Sequence, residues 1–408
     1  MNATTSCRVC RGPVEEFLDL GRQPLSDAFR LPDADDDEFF YDLRVGLCGS
    51  CSMVQLMREV PRERMFHADY PYHSSGSRLM REHFEATAER LARTELTGPD
   101  PFVVEIGCND GIMLHALAER GIRHLGVEPS AGVARVAAER GIDVRIDFFE
   151  EATALDIAAT HGPADVIYAA NTICHIPYLD SVFRGVDALL GPGGVFVFED
   201  PYWGDIVEQV SFDQIYDEHF YLFTARSVQA MARRFGFDLV DVAALPVHGG
   251  EIRYSLARIG ERTPSGAVAA LIATERERGL DRSATARRFA ARVHRVRDDL
   301  VTLLRDLRAQ GRRVVGYGAT AKSATVANFC GLGPDLITFV SDTTPAKQGR
   351  LTPGSHIPVV GPGDFRTARP DYAVLFAWNH AEEIMAQEDG FRAGGGRWIR
   401  YVPDVQTV

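Results

Sequence analysis

The stretch Phe102-Val-Val-Glu-Ile-Gly-Cys-Asn-Asp-Gly111 decides the fold. It begins with a short apolar run rich in β-branched residues, passes through a glycine-rich turn and leads into a helical pattern over residues 112–120. A strand, a glycine-rich turn and a helix in this order are typical of a nucleotide-binding α/β unit. The glycines do not follow the dinucleotide pattern G-x-G-x-x-G, and Glu105 inside the strand is poorly placed beside a pyrophosphate. The pattern therefore favours a cationic ligand without phosphates.

Further strands follow at the spacing of repeated βαβ units. The second ends in Glu128, at a position where a carboxylate accepts both hydroxyls of a ribose. The third ends in Asp147 and the fourth in Asn171. A turn over residues 191–194 then leads into an apolar strand over residues 195–198. The ordered set predicts a parallel sheet with a nucleoside site at the carboxyl ends of its strands.

Length, composition and charge narrow the class of protein. A chain of 408 residues exceeds what one core usually supports, so we expect two or three domains. No apolar run approaches the ~20 residues of a membrane span, and residues 1–10 do not resemble a secretory signal, so we expect a cytoplasmic protein with no membrane partner. The net charge of −13 disfavours nucleic acid as a partner. The arginine-rich stretch 276–313 contains interleaved acidic residues and is typical of a solvated helix face.

Four of the seven cysteines form two identical pairs, Cys7-x-x-Cys10 and Cys48-x-x-Cys51. Two residues between thiolates place both sulfurs on one side of a tight turn, and two such turns complete a tetrahedral site for Zn²⁺. A redox pair of the thioredoxin type requires one such pair in a βαβ context. Because four thiolates leave no open coordination position, we expect a structural zinc ion that supplies folding free energy to a small module.

The strand and turn pattern of residues 82–247 resembles the class I methyltransferases that depend on S-adenosylmethionine (AdoMet). This resemblance implies that Gly107 and Gly111 let the backbone approach the methionine part of the cofactor. It also implies that Glu128 holds the ribose and that Asp147 with Phe148 contacts the adenine. The cofactor-binding residues expected from the motif and the resemblance together are Glu105, Gly107, Asn109, Gly111, Glu128, Asp147, Phe148, Asn171 and Ser77.

The order of the parts is similar to that of sugar C-methyltransferases acting on nucleotide-linked 4-keto-deoxysugars. In both, a Cys₄ module precedes the methyltransferase core, and a further α/β unit follows it. The segments that carry this resemblance are Leu20-Gly-Arg-Gln-Pro-Leu-Ser26, Tyr70-Pro-Tyr-His-Ser-Ser-Gly-Ser77, Asn171-Thr-Ile-Cys-His-Ile176 and Tyr216-Asp-Glu-His-Phe-Tyr221. The resemblance implies a role in deoxysugar biosynthesis for antibiotics.

Methyl transfer to carbon requires removal of a proton beside a carbonyl and stabilisation of the resulting enolate. Such chemistry calls for a base and for nearby hydrogen-bond donors, which a histidine, a glutamic acid and tyrosines supply. The resemblance implies that His219 takes the C-3 proton. The other side chains that it places around the sugar and the enolate are Tyr70, His175, Tyr216 and Glu218.

The last third begins after residue 247 and alternates strands with helices, which predicts a small Rossmann-like sheet. Its segment Gly316-Tyr-Gly-Ala-Thr-Ala-Lys322 is not a P-loop, because alanine and not glycine precedes the lysine. The resemblance implies that this domain closes over the cleft and that Gly316, Gly318 and Lys322 touch the phosphates of the substrate. Packing without a ligand is the alternative.

The sequence therefore predicts an α/β protein in three parts. These are a zinc-binding module over residues 1–65, an AdoMet-binding methyltransferase core over 66–247 and a Rossmann-like domain over 248–408. The expected activity is methylation of C-3 of a thymidine-diphosphate-linked (dTDP) 4-keto-deoxysugar, by a monomer. The alternatives are an O- or N-methyltransferase of a small metabolite and a non-catalytic zinc-containing binding protein.

Overall fold

The computed structural model describes residues 6–35, 37–67, 70 and 73–408. Its strands are β1 (Val14–Pro24), β2 (Phe40–Cys48), β3 (Val54–Leu56), β4 (Phe102–Ile106), β5 (Arg123–Val127), β6 (Val144–Arg145), β7 (Ala164–Ala170), β8 (Leu190–Pro201), β9 (Tyr221–Leu222), β10 (Phe237–Leu245), β11 (Glu251–Arg258), β12 (Val314–Tyr317), β13 (Val340–Ser341), β14 (Val359–Val360), β15 (Tyr372–Leu375), β16 (Arg397–Arg400) and β17 (Gln406–Thr407). Its helices are α1 (Arg62–Met65), α2 (Arg78–Thr94), α3 (Ile112–Ala118), α4 (Ala131–Glu139), α5 (Glu151–His161), α6 (Leu179–Leu189), α7 (Trp203–Gln209), α8 (Ala225–Arg234), α9 (Gly266–Arg278), α10 (Ser283–Ala309), α11 (Ala321–Phe329), α12 (Pro362–Ala368), α13 (Ala381–Gln387) and α14 (Asp389–Ala393). Short 3₁₀ helices span Ser74–Gly76, Ile173–His175, Phe212–Gln214, Pro345–Lys347 and Trp378–His380.

The central sheet contains β4, which begins at Phe102, and the glycine-rich turn follows this strand. Its strand order is β10-β11-β8-β7-β4-β5-β6, and β4 is buried along its whole length between its parallel neighbours β5 and β7. The chain order reverses between β4 and β7, because β5 and β6 extend to one side and β7 and β8 to the other. Ligands of open α/β sheets collect at the carboxyl ends of the strands at such a switch point. The parallel α/β core predicted from the sequence is confirmed.

The central sheet extends past residue 247, where the sequence suggested that the core ends. Strand β11 pairs antiparallel with β8, from Glu251 opposite Pro201 to Leu256 opposite Phe196. Strand β10 pairs with β11 at the edge of the sheet. The domain limits expected from the sequence stay predictions. The pairing shows that residues 251–258, which the sequence assigned to the last domain, lie in the central sheet.

The first sheet has the order β1-β2-β3-β9 and is antiparallel. Its first three strands come from the cysteine-containing region, but β9 follows His219 by only two residues. In this pairing Val54 lies opposite Leu222, and the backbone N–H of Leu56 donates to the carbonyl of Phe220 at 2.9 Å. The small N-terminal sheet is thus joined directly to the segment that carries the expected base.

The third sheet has the order β14-β13-β12-β15-β16-β17, and all its pairs are parallel except the last. The predicted Rossmann-like unit is confirmed. Its strand β13 contains only two residues, Val340–Ser341. Gly316 serves packing within this sheet, because a Cβ there would lie 2.7 Å from the ring of Phe376.

One continuous cluster of buried apolar residues includes members of all three sheets, among them Leu43, Phe198 and Val374. The arginine-rich stretch forms parts of α9 and α10, and α10 buries Phe289, Val293 and other apolar side chains on one face, as its pattern predicted. Among the described residues, no helix has the length and hydropathy of a membrane-spanning segment.

Candidate active site

A cavity of about 780 Å³ lies between the three sheets. Residues that follow the central strands line one side, among them Gly107, Glu128 and Asn171. Residues that follow β12 and β13, such as Gly318 and Asp342, line the other side. The carboxyl ends of two parallel sheets therefore face a common space, which suits a ligand with two distinct parts.

The four cysteines of the two pairs meet at one point in the N-terminal region. Their sulfurs all lie within 4.8 Å of one another, with Cys7 Sγ 3.6 Å from Cys51 Sγ and Cys10 Sγ 3.4 Å from Cys48 Sγ. Tetrahedral zinc, with bonds of about 2.3 Å, places thiolate sulfurs about 3.8 Å apart. Backbone N–H groups contact the sulfurs of Cys7 and Cys10 at 3.4 Å, which favours thiolates. The four residues fit a structural zinc ion.

Glu128 lines the cavity at the expected cofactor site. Its Oε2 accepts the backbone N–H of Asn109 at 3.0 Å, and its Oε1 accepts the backbone N–H of Ser130 at 2.8 Å. A carboxylate offers about four lone-pair sites, so two remain for the hydroxyls of a ribose. Two fixed N–H donors hold the carboxylate in one orientation, which pre-organises the site.

The loop before α2 covers the glycine-rich turn. The backbone N–H of Ser74 donates to Oδ1 of Asn109 at 3.0 Å. Ser77, at the start of α2, lines the cavity, and its Oγ has no hydrogen-bond partner among the described residues. Gly107 has a φ of +69° and its Cβ would lie 2.4 Å from Oγ1 of Thr172. Glycine at this position therefore lets the turn after β4 approach the segment after β7.

Three of the expected cofactor residues lie outside the cavity lining. Glu105 is buried in β4 with Oε2 unpartnered in the described part of the chain, and burial raises its pKa well above the usual range. Gly111, with a φ of +75°, packs against α4, where a Cβ would lie 2.9 Å from that of Ala137. Asp147 accepts from Oγ1 of Thr153 at 3.2 Å.

Of the two residues expected at the adenine, only Phe148 reaches the cavity. The guanidinium of Arg62 lies 4.1 Å from the centroid of its ring. Arg62 also lies 4.6 Å from the ring centroid of Tyr178, and all three side chains line the same end of the cavity. An aromatic and guanidinium surface of this kind suits a flat base.

The hydrogen bonds of His219 fix its tautomer. Its Nδ1 lies 2.7 Å from the carbonyl oxygen of Gln214, and its Nε2 lies 2.7 Å from the hydroxyl of Tyr216. Because a carbonyl only accepts, Nδ1 carries the hydrogen, and Nε2 accepts from Tyr216. Burial lowers the pKa of His219 well below its ordinary value, and the positive charge of Lys322 acts in the same direction. The ring is therefore neutral with an unprotonated Nε2, as a general base requires.

His175 lies between the rings of Phe66 and His219, with centroid distances of 5.7 Å and 5.2 Å. Its Nε2 is buried without a hydrogen-bond partner in the part of the chain that the structure describes. Burial lowers the pKa of His175 to about 3. Ligand atoms of Cys174, His175 and His219 lie within 4.8 Å of one another. Both ring nitrogens of His219 already take part in hydrogen bonds, with Gln214 and with Tyr216.

Glu218 is buried next to His219 and accepts the hydroxyl of Tyr70 at its Oε2, at 3.1 Å. Desolvation raises the pKa of Glu218 well above the usual range, and the negative charges of Asp27 and Asp217 raise it further. This environment favours the protonated form of the carboxyl group. It can then donate a hydrogen bond to a developing negative charge.

Residues 212–219 carry the expected base and are called the catalytic segment below. They are held by parts of the chain that lie far apart in sequence. Each part donates one or two hydrogen bonds to an acidic side chain or a carbonyl of the segment. These bonds run from Trp378 Nε1 and Tyr401 OH to Asp213 Oδ2 (2.6 Å each), from Thr325 Oγ1 to the Ile215 carbonyl (3.0 Å) and from the Ser26 N–H to Asp217 Oδ1 (3.1 Å).

The structure brings the five expected catalytic residues together around one cavity, but it adds others that sequence reasoning missed. These additional lining residues include Asp27, Arg62, Tyr178, Gln214, Lys347, Asn379 and His380. One had a usable signal in the sequence, because Asp27 directly follows the segment Leu20–Ser26 that carried the resemblance. Gln214 and Tyr178 each lie two residues from another such segment. The others have no motif beside them and reach the cavity only through the packing of the sheets.

Three family models match the chain. The model "Putative zinc binding domain" matches residues 7–66, "Methyltransferase domain" matches 78–242, and "C-methyltransferase C-terminal domain" matches 246–403. The chain is 36% identical to C-methyltransferase NovU of Streptomyces niveus, over 98% of this chain and 96% of that protein. It is 25% identical to sarcosine/dimethylglycine N-methyltransferase of Halorhodospira halochloris, over 48% of this chain and 74% of that protein. A solved SAM-dependent methyltransferase from Anabaena variabilis is 18% identical, with a TM-score of 0.33, over 43% of this chain and 84% of that chain.

The parallel sheet, the glycine-rich turn and the matched domains define an AdoMet-dependent methyltransferase with a zinc-binding module. Within that class, the chain belongs to the C-methyltransferase family, because its similarity to NovU extends over nearly the whole length of both proteins. It is an enzyme that uses AdoMet, and its four clustered cysteines hold a structural zinc ion.

Proposed function

We propose that this enzyme methylates C-3 of a dTDP-linked 4-keto-deoxysugar through an enolate, in the biosynthesis of deoxysugars for antibiotics. The observation that carries the proposal is the buried pair of Tyr216 and His219, in which Nε2 is an acceptor. Transfer of a methyl group to oxygen or nitrogen requires no base that removes a proton from carbon. The sequence segments that resemble sugar C-methyltransferases support the substrate class.

In the proposed reaction, bound AdoMet supplies the electrophilic methyl group. The hydroxyl of Tyr216 turns from His219 to the keto oxygen, and Nε2 of His219 takes the C-3 proton. The carbonyl of Gln214 then stabilises the charged ring through the Nδ1–H bond. In its protonated form Glu218 donates a hydrogen bond to the developing enolate, and Tyr70, whose hydroxyl donates to Oε2 of Glu218, holds that carboxyl group beside the sugar.

The C-terminal side of the cavity suits the diphosphate of such a substrate. Nζ of Lys322 donates to the carbonyl of His248 at 3.2 Å, and Lys347 Nζ donates to the carbonyl of Ala319 at 2.9 Å. Both lysines line the cavity close to Gly318, which has a φ of +91°. Phosphate oxygens can replace these carbonyls or join them as acceptors. We further propose a monomer, because one chain encloses the cavity.

The proposal is tested by incubating the enzyme with AdoMet and a panel of dTDP-linked 4-keto sugars. Mass spectrometry detects a product heavier by one methylene, and carbon NMR locates the new methyl group. A methyl group on C-3 supports the proposal. A methyl group on another ring carbon contradicts the position, one on oxygen or nitrogen contradicts the enolate, and no product with any member contradicts the substrate class.

A further inference from the structure

The turn after β12, in the C-terminal sheet, has the same backbone geometry as the glycine-rich turn after β4. After β4, the N–H of Gly107 donates to the carbonyl of Val127, the last residue of β5, at 2.8 Å. After β12, the N–H of Gly318 donates to the carbonyl of Ser341, the last residue of β13, also at 2.8 Å. Both glycines have a positive φ, of +69° and +91°. In each case the two strands are parallel, and a helix, α3 or α11, connects them.

An acidic residue follows the second strand of each unit and accepts the same hydrogen bonds. Oδ2 of Asp342 accepts the N–H of Ala319, in the turn after β12, at 2.7 Å. Oδ1 of Asp342 accepts the N–H of Thr344, two residues farther on, at 2.8 Å. Glu128 likewise accepts one N–H from the turn after β4 and one from the residue two positions beyond itself. Asp342 therefore occupies the place in the C-terminal sheet that Glu128 occupies in the central sheet.

Asp342 has acceptor sites left for a ligand. It lines the cavity and is only 8% exposed. A carboxylate offers about four lone-pair sites, and two are taken by the N–H groups of Ala319 and Thr344, so two remain. Ser341 beside it also lines the cavity, and its buried Oγ has no hydrogen-bond partner among the described residues. This arrangement suits a ligand that brings a hydroxyl group to Asp342.

The positive charges around this second unit distinguish it from the first. The chain contains only two lysines, Lys322 and Lys347, and both line the cavity here. Lys322 lies in the first turn of α11, and Nζ of Lys347 donates to the carbonyl of Ala319 at 2.9 Å. Lysines and a helix N-terminus attract phosphates, whereas the carboxylate of Asp342 repels them. The unit is therefore suited to a ligand with an anionic part beside a neutral part that carries hydroxyl groups, as in a nucleoside diphosphate.

We propose that the C-terminal sheet provides a second nucleoside site, in which Asp342 accepts the pentose hydroxyl of the nucleotide part of the substrate. The inference rests on the proposed function, because a nucleotide-linked substrate must supply this nucleoside. In a thymidine nucleotide the deoxyribose has one free hydroxyl group, at C-3′, and this is the group that Asp342 accepts. The two units then hold the two nucleosides of the reaction, one from AdoMet and one from the substrate, at opposite sides of one cavity.

The test is titration calorimetry of the full-length zinc-loaded enzyme, saturated with AdoMet, with thymidine diphosphate and with 3′-deoxythymidine diphosphate. The wild type should bind the analogue without the hydroxyl group roughly ten- to a hundredfold more weakly, because a hydrogen bond to a charged acceptor is lost. Asp342→Asn should lose most of this preference and bind AdoMet as the wild type does. Asp364→Asn is the matched control, because Asp364 is exposed on α12 of the same region, and it should keep the preference.

A wild type that binds neither diphosphate, or both equally, overturns the proposal without any variant. An unchanged preference in Asp342→Asn overturns it as well, and so does displacement of AdoMet by thymidine diphosphate. If circular dichroism shows that Asp342→Asn does not fold, Asp342→Ser takes its place with the same expected loss, because a serine hydroxyl can still accept the N–H of Thr344. If Asp342 selects the hydroxyl group as expected but no 4-keto sugar nucleotide is methylated, the second nucleoside site stands and the proposed function fails.

Discussion

The cofactor half and the proton-transfer half of the cavity are built in different ways. The cofactor half comes from one sheet, where turns after β4, β5 and β7 carry Gly107, Glu128 and Asn171 to one edge. The expected proton-transfer half is a short segment held by hydrogen bonds from the N-terminal and C-terminal regions, among them those of Ser26 and Thr325. The first half depends on local structure, and the second depends on the assembly of the whole chain.

Because the two halves are built differently, a substitution in one half should impair its own function and leave that of the other half intact. A residue of the central sheet should affect AdoMet binding and leave proton removal from the sugar intact. A residue of the catalytic segment, or of the zinc module apart from Arg62 at the adenine end, should do the reverse.

Loss of zinc should abolish proton removal and spare AdoMet binding. Structural zinc sites of this kind contribute on the order of 10 kcal/mol to folding of their module. Since β9, which begins two residues after His219, pairs with β3 of the module, unfolding of the module should displace His219. Cys48→Ser should lose zinc, measured by elemental mass spectrometry, and all methyl transfer, while calorimetry still detects AdoMet. Loss of AdoMet binding as well would show that the two halves are not separable.

Replacement of the base should reduce turnover and little else. His219→Gln should lower kcat by about a hundred- to ten-thousandfold, the usual contribution of a general base, with the affinity for AdoMet unchanged. The control is His115→Gln, because His115 is exposed on α3. Wild-type turnover in His219→Gln would remove His219 as the base.

Replacement of Glu128 should give the opposite pattern. Hydrogen bonds to a charged group contribute about 1.5–3 kcal/mol each, so Glu128→Gln should weaken AdoMet binding by roughly ten- to a hundredfold. Exchange of the C-3 proton in the absence of AdoMet should stay at the wild-type rate. A loss of exchange equal to the loss of affinity would mean that the damage reaches the catalytic segment.

The smallest expected effect is on the pH dependence of kcat. Burial holds the pKa of His219 well below its ordinary value of about 6.5, so the ring stays neutral and able to accept a proton as the pH falls through that value. The acid limb of kcat should therefore lie below pH ~6.5 in the wild type. A limb at or above that value would show that His219 is more solvated in the working enzyme than in this structure.

Much of the fold could be predicted from the sequence, because the informative patterns were local. The Cys-x-x-Cys pairs, the turn from Gly107 to Gly111 and the acidic end of β5 each fit within a few residues. The catalytic segment was also recognised, through its resemblance to a known family. The assignment of Asp147 to the adenine found no support, because β6 is short and the side chain instead accepts from Thr153.

The parts that could not be predicted depend on long-range packing. The role of Gln214 rests on a backbone carbonyl, which leaves no trace in residue identity. Asp27 and Lys347 are 320 positions apart (347 − 27) and meet only when the loop after β1 reaches the C-terminal region. No periodicity or spacing in the sequence connects such residues. Their place in the proton-transfer half could therefore be identified only from the structure.

The central claim is that this enzyme forms an enolate, and one measurement tests it directly. A 4-keto sugar nucleotide is incubated with the enzyme in deuterium oxide without AdoMet, and proton NMR follows the hydrogen at C-3. The account predicts exchange of that hydrogen by the wild type and its loss in His219→Gln. A wild type that transfers methyl groups without catalysing exchange at C-3, or exchange that persists in His219→Gln, would contradict it.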